Sequence, residues 1–561
     1  MKYLEIVELY DRLAGTTKRL EKAEILADFM RLHAKFGTDT SWLYLLLGRV
    51  FPEYDTRETG ISRQLALKAI AYASGENEFK VQKFFTSEGD LGEVAEKFIS
   101  GSKQKSLFEK EELKAMDVIE TLRKISEIEG KGAVERKLDM IKGLYSRASS
   151  REALYITRTL VSDLRIGIAS ALVLDAIART FFENDASARA LLEEKYLMSN
   201  DIALIAGCTS VEKLSKITLQ PGKPSQVMLA VKVADINEAF ESCGKPAAFE
   251  QKYDGFRMLI HNAQGEISLF TRKLENVTSQ FPDVVEAIQK NVYGKSFIID
   301  SEVVGYEPKT KKYMPFEAIS QRIRRKYSIS ELQKELPVEI NVFDVLYYNG
   351  KSTMELPFQE RRKLVEKIVT TKPFIIRPAI QIVTESEKEA ESFYHEALDI
   401  GEEGVMIKRL DAPYRFGRYV GYMAKLKPAT NDFDLVIVGA EHGTGKRAGW
   451  LTSYIVACRD GDKFVEVGRV SSGLKEKEEE GMTYEEMTKL LRKIKISEEE
   501  GIIRVEPKLV VSVTYQNIQP SPAYTSGYAL RFPRITAYRP DRSTEDIASL
   551  EDMKKVFKKD K

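Results

Sequence analysis

Residues 249–257 read FEQKYDGFR, with Lys252 two residues before an Asp-Gly pair and Arg257 two residues after it. The flanking residues are apolar enough to form strands, and Asp-Gly between two strands is a strong hairpin signal. The pattern predicts that Lys252 leaves one strand of a hairpin and that Arg257 returns on the other, so both cations reach one phosphate. The alternative is a surface hairpin with solvated charges.

Length and composition describe an ordinary globular protein of several domains. The chain has 561 residues, of which 43% are hydrophobic and 30% charged. This length predicts about three domains. Because the net charge is only +1, any contact with nucleic acid must come from local basic patches and not from an overall basic field.

The N-terminal segment and the cysteines predict a cytoplasmic protein with no membrane partner. Residues 1–8 place acids among apolar residues, which favours an amphipathic helix over a signal peptide. No apolar run is as long as a membrane span. Cys208, Cys243 and Cys458 are scattered and odd in number, so they form neither a disulfide framework nor a four-ligand zinc site.

The periodicity of apolar residues divides the chain into three predicted domains of a multidomain α+β fold. Residues 1–220 read as all-helical, with a capping box predicted at Ser149 and Glu152. A Pro-Gly-Lys-Pro linker then begins a core of residues 221–429, with a mostly antiparallel sheet. Short strands with glycine-rich turns predict an OB-fold barrel over residues 430–561.

The decisive stretch resembles motif I of the covalent nucleotidyltransferases, in which the lysine carries a nucleotide as a phosphoramide. Further segments match the family's later motifs in order: DSE at 300–302, FDVLY at 343–347, EEGVMIK at 402–408, KLK at 425–427 and RFPR at 531–534. The LRIG segment at 164–167 is similar to one in the helical DNA-binding domain of archaeal and eukaryotic ATP-dependent DNA ligases. The chain therefore resembles an archaeal-type ATP-dependent DNA ligase. Ser301 departs from the usual glycine, a change that a strand tolerates.

The resemblance implies that Lys252 is the catalytic nucleophile. A free lysine has a pKa of about 10.4 and is an ammonium at neutral pH. Neighbouring cations and a bound metal favour the neutral amine. Arg257, Lys425 and Lys427 are expected to supply this field and to neutralise the triphosphate.

The resemblance also implies the residues that bind ATP and metal. Phe343 is expected to stack on adenine, Glu250 to accept from its amine, and Arg531 and Arg534 to close over the β- and γ-phosphates. The full ATP-binding set is Glu250, Arg257, Arg272, Glu302, Phe343, Arg418, Lys425, Lys427, Arg531 and Arg534. Glu302 and Glu403 would repel phosphates without a divalent ion, and Mg²⁺ is the natural bridge.

The function implied is the sealing of nicks in duplex DNA, in replication, repair and recombination. AMP passes from ATP to Lys252 and then to a 5′-phosphate, and the 3′-hydroxyl displaces it. The three domains would encircle nicked DNA as a monomer and read its backbone; a sliding clamp stays open as a partner. The alternatives are an RNA ligase or other polynucleotide nucleotidyltransferase, or a nucleic-acid-binding relative with an inactive core.

Overall fold

The computed structural model describes residues 1–33, 39–100, 112–314, 316–324, 329–428, 432–443, 447, 449–476, 482–499 and 501–559. The chain divides into two compact units, one of residues 1–85 and 91–428 and the other of residues 86–90 and 429–561. The domain boundary predicted between residues 429 and 430 falls outside the described residues.

The N-terminal region is helical, as the sequence predicts. Ser149 caps a helix by accepting from the Glu152 amide, and the Glu152 carboxylate accepts from the Ser149 amide at 2.7 Å, which confirms the predicted capping box. None of the described helices combines the length and apolar character needed to cross a membrane. The helices are α1 Tyr3–Ala14, α2 Arg19–His33, α3 Leu43–Leu46, α4 Arg63–Ser74, α5 Glu78–Glu88, α6 Leu91–Ser100, α7 Ala115–Glu127, α8 Ala133–Arg147, α9 Ser150–Leu160, α10 Ser170–Phe181, α11 Ala186–Ser199, α12 Ile202–Ala206 and α13 Val211–Ser215.

The core contains two sheets and a short parallel pair of strands. The strands are β1 Met228–Leu229, β2 Val231–Val233, β3 Ala247–Gln251, β4 Phe256–Ala263, β5 Glu266–Thr271, β6 Ser296–Tyr306, β7 Tyr313–Met314, β8 Val338–Tyr348, β9 Lys351–Ser352, β10 Ile376–Pro378, β11 Gln381–Thr384, β12 Val405–Arg409, β13 Gly417–Arg418 and β14 Met423–Leu426. One sheet has the order β11-β3-β12-β14-β2, and the other has the order β10-β8-β6-β4-β5 with β7 and β9 at its side. Both are mostly antiparallel, as predicted; β2–β14 and β8–β10 are parallel.

Helices cover one face of each sheet and bury its apolar side chains. The helices of this region are α14 Ile236–Cys243, α15 Pro282–Asn291, α16 Phe316–Arg324, α17 Ile329–Glu335, α18 Phe358–Ile368 and α19 Glu387–Asp399, with a 3-10 turn at Thr278–Gln280. Phe240 of α14 and Phe393 of α19 pack with Phe249 of β3. Ile288 of α15 and Val365 of α18 pack against the sheet that contains β4. Each sheet therefore has one face that is packed against helices.

The stretch 249–257 does not form the predicted hairpin. β3 and β4 belong to different sheets, so residues 252–255 connect the two sheets. Gly255 has no positive φ; a side chain there would collide with the backbone carbonyl of Val303. The glycine therefore permits close approach of two backbones, and the hairpin signal was wrong because a turn and a close contact both select glycine.

The second unit is a strand-rich domain with two helices. Its elements are β15 Asp432–His442, β16 Leu451–Asp460, β17 Lys463–Val470, α20 Tyr484–Lys493, β18 Lys495–Glu499, β19 Ile502–Val505, β20 Val510–Thr514, β21 Ile518–Pro520, β22 Tyr528–Leu530, β23 Arg534–Tyr538 and α21 Leu550–Lys559. The strands follow the order β17-β16-β15-β19-β18, with β20 joining β15 to β23. Within the part of this unit that the structure describes, these pairings do not close the predicted barrel.

Candidate active site

Lys252 follows the buried strand β3 and is held by backbone bonds on both sides. Its amide donates to the Gly404 carbonyl, and the Glu403 amide donates to the Lys252 carbonyl, both at 2.9 Å. The Lys252 ammonium forms an ion pair with the Glu403 carboxylate, which Lys427 also contacts. The side chain of Lys252 is 19% exposed, so the lysine is accessible but fixed in place.

Glu403 and Lys425 show how crowded the charges are around Lys252. Burial disfavours the ionised form of Glu403, but Lys252 and Lys427 outweigh it and hold the pKa of this carboxyl well below its usual value. The pKa of Lys425 is lowered by burial and by the positive charges of its neighbours, which are Lys252, Lys427, Arg272 and Arg418. The fold therefore brings together cations that the sequence places on separate segments.

Glu302 has the opposite electrostatic environment to Glu403. Burial raises the pKa of Glu302 to about 8, and the charges of Asp300 and Glu403 add to the rise, although Lys252 and Arg257 act against it. At neutral pH this carboxyl is therefore mostly protonated. The Oγ of the neighbouring Ser301 donates to the Met258 carbonyl at 2.9 Å, so the strand accommodates the departure from glycine.

Glu402, beside Glu403, is a further buried acid that the sequence analysis quoted but assigned no role. Its Oε2 accepts from the Asp254 amide at 3.0 Å, which ties the loop after Lys252 to the strand β12 region. Burial raises the pKa of Glu402 to about 7 even though this hydrogen bond acts to lower it. Glu402 therefore supports the loop that connects the two sheets.

Arg257 is rigidly bound within the site. Its Nε and Nη2 donate to the two Asp300 carboxylate oxygens at 2.9 and 2.5 Å, and its Nη1 donates to the Met228 carbonyl at 2.6 Å. Nη2 also donates to the Tyr414 hydroxyl at 3.2 Å. Because these bonds use most of the five N–H groups of a guanidinium, Arg257 acts on a ligand mainly through its charge.

Phe343 and Glu250, the two residues predicted to contact adenine, both lie close to Lys408. Ser301 of β6 is aligned with Val342 of β8, and Asp300 is aligned with Asp344. Phe343, which lies between Val342 and Asp344, therefore occupies a β-bulge, and a bulge changes the direction of a side chain. The Phe343 ring is half-buried, with the Lys408 Nζ 4.5 Å from its centroid.

The Glu250 carboxylate is already bonded within the protein. It accepts from the Lys408 ammonium at 2.7 Å and from the side-chain amide of Gln381 at 3.0 Å. An adenine amine would therefore share Glu250 with these two residues. The sequence analysis includes Lys408 in a motif but assigns it no role. No sequence pattern indicated a role for Gln381 or Tyr414.

The remaining predicted residues lie on the edge of the site or in the second unit. Arg272 directly follows β5 and Arg418 lies on β13; both are exposed. Arg531 is buried, with 5% exposure, and its amide donates to the Asn517 carbonyl at 2.9 Å. Arg534 is exposed on β23. The structure thus groups the residues of the first unit around Lys252, while Arg531 and Arg534 belong to the other unit.

Comparison with known proteins identifies the family. Family models described as "DNA ligase N terminus", "ATP dependent DNA ligase domain" and "ATP dependent DNA ligase C terminal region" match residues 2–178, 227–427 and 447–542. A DNA ligase of Nanoarchaeum equitans is 42% identical over 564 residues, which cover 99% of this chain and 98% of the relative. A DNA ligase of Thermococcus onnurineus is 39% identical over 99% of this chain and 98% of the relative.

The chain belongs to the ATP-dependent DNA ligases. Members of this family use ATP, and their known activity is nick sealing, so the chain is a ligase enzyme with nicked DNA as its substrate. A solved structure named Pmar-Lig_PreS3 has a TM-score of 0.59 at 17% identity and covers 95% of this chain and 99% of its own; this likeness concerns the fold alone.

Family membership gives the arrangement of charges in this ligase a chemical context. A lysine that is fixed at the end of a buried strand and surrounded by cations is suited to binding a polyphosphate. The two carboxyls beside it have pKa shifts in opposite directions. Within the described residues, no three His, Cys, Asp or Glu side chains meet as a metal-binding group.

Proposed function

We propose that Lys252 is the residue that accepts AMP from ATP. The Lys252 Nζ would attack the α-phosphorus, form a P–N bond and release pyrophosphate as the P–O bond to the β-phosphate breaks. The 5′-phosphate of a nick would then take the AMP, and the 3′-hydroxyl would displace it to form the phosphodiester. The observation that carries this proposal is the fixed ammonium of Lys252 among the other cations of the site.

Lys252 must lose a proton before it can attack. In its ion pair with Glu403 it is an ammonium, and this carboxylate favours the charged form. Lys425 and Lys427 act in the other direction, since a positive charge nearby favours the neutral amine. The ion pair between Lys252 and Glu403 must therefore break before the attack.

The ATP-binding residues proposed from the sequence keep their roles in this proposal. Phe343 would stack on the base with Glu250 at its edge, while Arg257, Arg272, Arg418, Lys425 and Lys427 would surround the phosphates and ribose. Arg531 and Arg534 would act on the β- and γ-phosphates from the second unit. Support comes from the common influence of Arg272 and Arg418 on Lys425 and from the closeness of Arg257 and Lys408 to the Phe343 ring.

Glu302 and Glu403 would hold a divalent cation, for which Mg²⁺ is the proposal. The charge of Glu403 acts on Glu302, and burial raises the pKa of Glu302 to about 8 although Lys252 and Arg257 act to lower it. Mg²⁺ is commonly bound by one or two carboxylates together with substrate phosphates, so this donor set fits. When bound, the ion would neutralise charge on the triphosphate.

The rest of the proposal concerns partners and location. We propose that residues 1–220, 221–429 and 430–561 act as DNA-binding, adenylation and OB-fold domains of a cytoplasmic monomer in replication, repair and recombination, with a sliding clamp as a candidate partner. The three cysteines are free, which is consistent with a reducing compartment. Since backbone contacts dominate such binding, affinity for nicked DNA should fall steeply with salt.

The test is a labelling experiment with ATP labelled at the α-phosphate. Wild type is expected to carry label on a denaturing gel, and Lys252→Ala is expected to carry none. Lys245→Ala is the matched control, because Lys245 is an exposed lysine of the same unit that pairs with Glu387 and has no proposed role in catalysis. Transfer to nicked duplex DNA but not to nicked RNA would separate a DNA ligase from an RNA ligase. Label on Lys252→Ala would refute the assignment of the nucleophile.

A further inference from the structure

A row of polar side chains crosses the sheet that carries Glu302. Arg377 on β10 is aligned with Asn341 on β8, and Asn341 is aligned with Glu302 on β6. Glu302 is in turn aligned with Arg257 on β4. Side chains at aligned positions share one face of a sheet, with Cβ atoms about 5 Å apart. Asn341 therefore lies directly between Glu302 and Arg377.

The charge of Arg377 is directed away from Glu302. Its Nη2 lies 3.2 Å from a carboxylate oxygen of Glu339, which is buried, and donates to the Tyr313 hydroxyl at 2.7 Å. Its Nε donates to the Asn341 Oδ1 at 3.2 Å. Arg377 is thus held between Glu339 and Asn341, and its contact with Asn341 fixes which way the amide group faces.

The amide nitrogen of Asn341 is the unexplained atom of this row. Asn341 is fully buried, and its Nδ2 has no hydrogen-bond partner among the residues that the structure describes. Because Oδ1 accepts from Arg377 on the β10 side, the aligned neighbour on the other side of Asn341 is Glu302. Burying an N–H without a partner is unfavourable, and each such group in a native protein calls for an explanation.

We propose that Asn341 is a positioning residue for Glu302, held in orientation by Arg377. Its amide would donate to the Glu302 carboxylate when this carboxylate turns to a bound nucleotide and cation. A neutral amide orients a carboxylate without cancelling its charge, whereas a guanidinium at the same position would form an ion pair and compete with a cation. The proposal rests on the proposed function, since it assigns Glu302 to the adenylation site.

The test compares Asn341→Asp and Asn341→Leu with wild type in single-turnover lysine adenylation. Asn341→Asp keeps the shape of the side chain and its contact with Arg377 but presents no donor toward Glu302. Both variants are expected to lower the maximal rate about 10–100-fold, as loss of a partner behind a ligating carboxylate does. The matched control is Asn291→Leu, which removes a buried asparagine on α15 whose Nδ2 donates to the Ala287 carbonyl; it should leave the rate unchanged.

A second measurement separates positioning from direct nucleotide contact. ATP affinity in metal-free buffer, measured by calorimetry, should change less than about twofold in both Asn341 variants, because Asn341 would act on Glu302 only when nucleotide and cation are both bound. Labelled wild type together with a normal rate for Asn341→Asp would reduce Asn341 to packing and overturn the proposal. An approximately tenfold loss of metal-free affinity would make Asn341 a nucleotide contact instead. Unlabelled wild type would refute the proposed function itself.

Discussion

The two sheets of the core place buried carboxyl groups in different electrostatic environments. Beside the sheet of β3, β12 and β14, Glu403 is paired with Lys252 and Lys427. In the sheet of β4, β6 and β8, Glu302 is aligned with Arg257, but Arg257 gives its hydrogen bonds to Asp300. Glu403 therefore has a lowered pKa and Glu302 a raised one. The difference shows that burial sets the pKa of a carboxyl only where no cation is bonded to it.

Glu403→Gln should have the largest effect on stability. The substitution leaves Lys252 and Lys427 close together without a counter-ion, and breaking a buried pair from one side costs about 3 kcal/mol. Thermal melting in metal-free buffer at neutral pH should show this loss. The penalty should disappear in acid, because a group with a lowered pKa contributes its stability above its unfolded-state pKa, near 4.5, and loses it as the pH falls through the folded-state value. An unchanged melting temperature at neutral pH would show that the ion pair is not formed.

Glu302→Gln should have an effect of the opposite sign on stability. Because the pKa of Glu302 rises from 4.5 to about 8 on folding, the wild type loses stability as the pH increases between these two values. Glutamine cannot ionise, so the variant should gain in melting temperature relative to wild type across this window, with a constant difference above it. A variant that is less stable than wild type at neutral pH would mean that Glu302 is ionised and paired.

Tyr414→Phe should have the smallest effect and test the rigidity of Arg257. The hydroxyl of Tyr414 donates to Asp300 at 2.8 Å and accepts from the Met228 amide at 3.0 Å. Its removal should cost about 1–3 kcal/mol by leaving buried groups unpaired, and should raise the KM for ATP because Arg257 is less firmly held. Tyr10→Phe removes a buried hydroxyl bonded to the Leu45 carbonyl and should lower stability without changing the KM. Equal KM values for both variants would contradict the positioning of Arg257 by Tyr414.

The hairpin signals in the core show where sequence reasoning succeeds and where it fails. Gln264-Gly265 joins β4 to β5 and Asn349-Gly350 joins β8 to β9, and in both turns the two residues have positive φ, as two-residue hairpins require. Asp254-Gly255 has the same local pattern but connects two sheets. The close contact of Gly255 with Val303, which is distant in sequence, distinguishes this connection from the two hairpin turns.

The sequence alone determined the chemical groups of this ligase and their order along the chain. The resemblance of short segments to the family's motifs predicted roles for Lys252, Glu302, Phe343, Glu403 and the cations around them, because such motifs are local. Only the tertiary structure decided which partner each charged group has. Glu403 is paired with two lysines and Arg257 with the carboxylate of Asp300, whereas Glu302 forms no ion pair within the described part of the chain. The physical reason is that pairing and burial depend on which strands become neighbours, and pairing and burial set the charge state of each group.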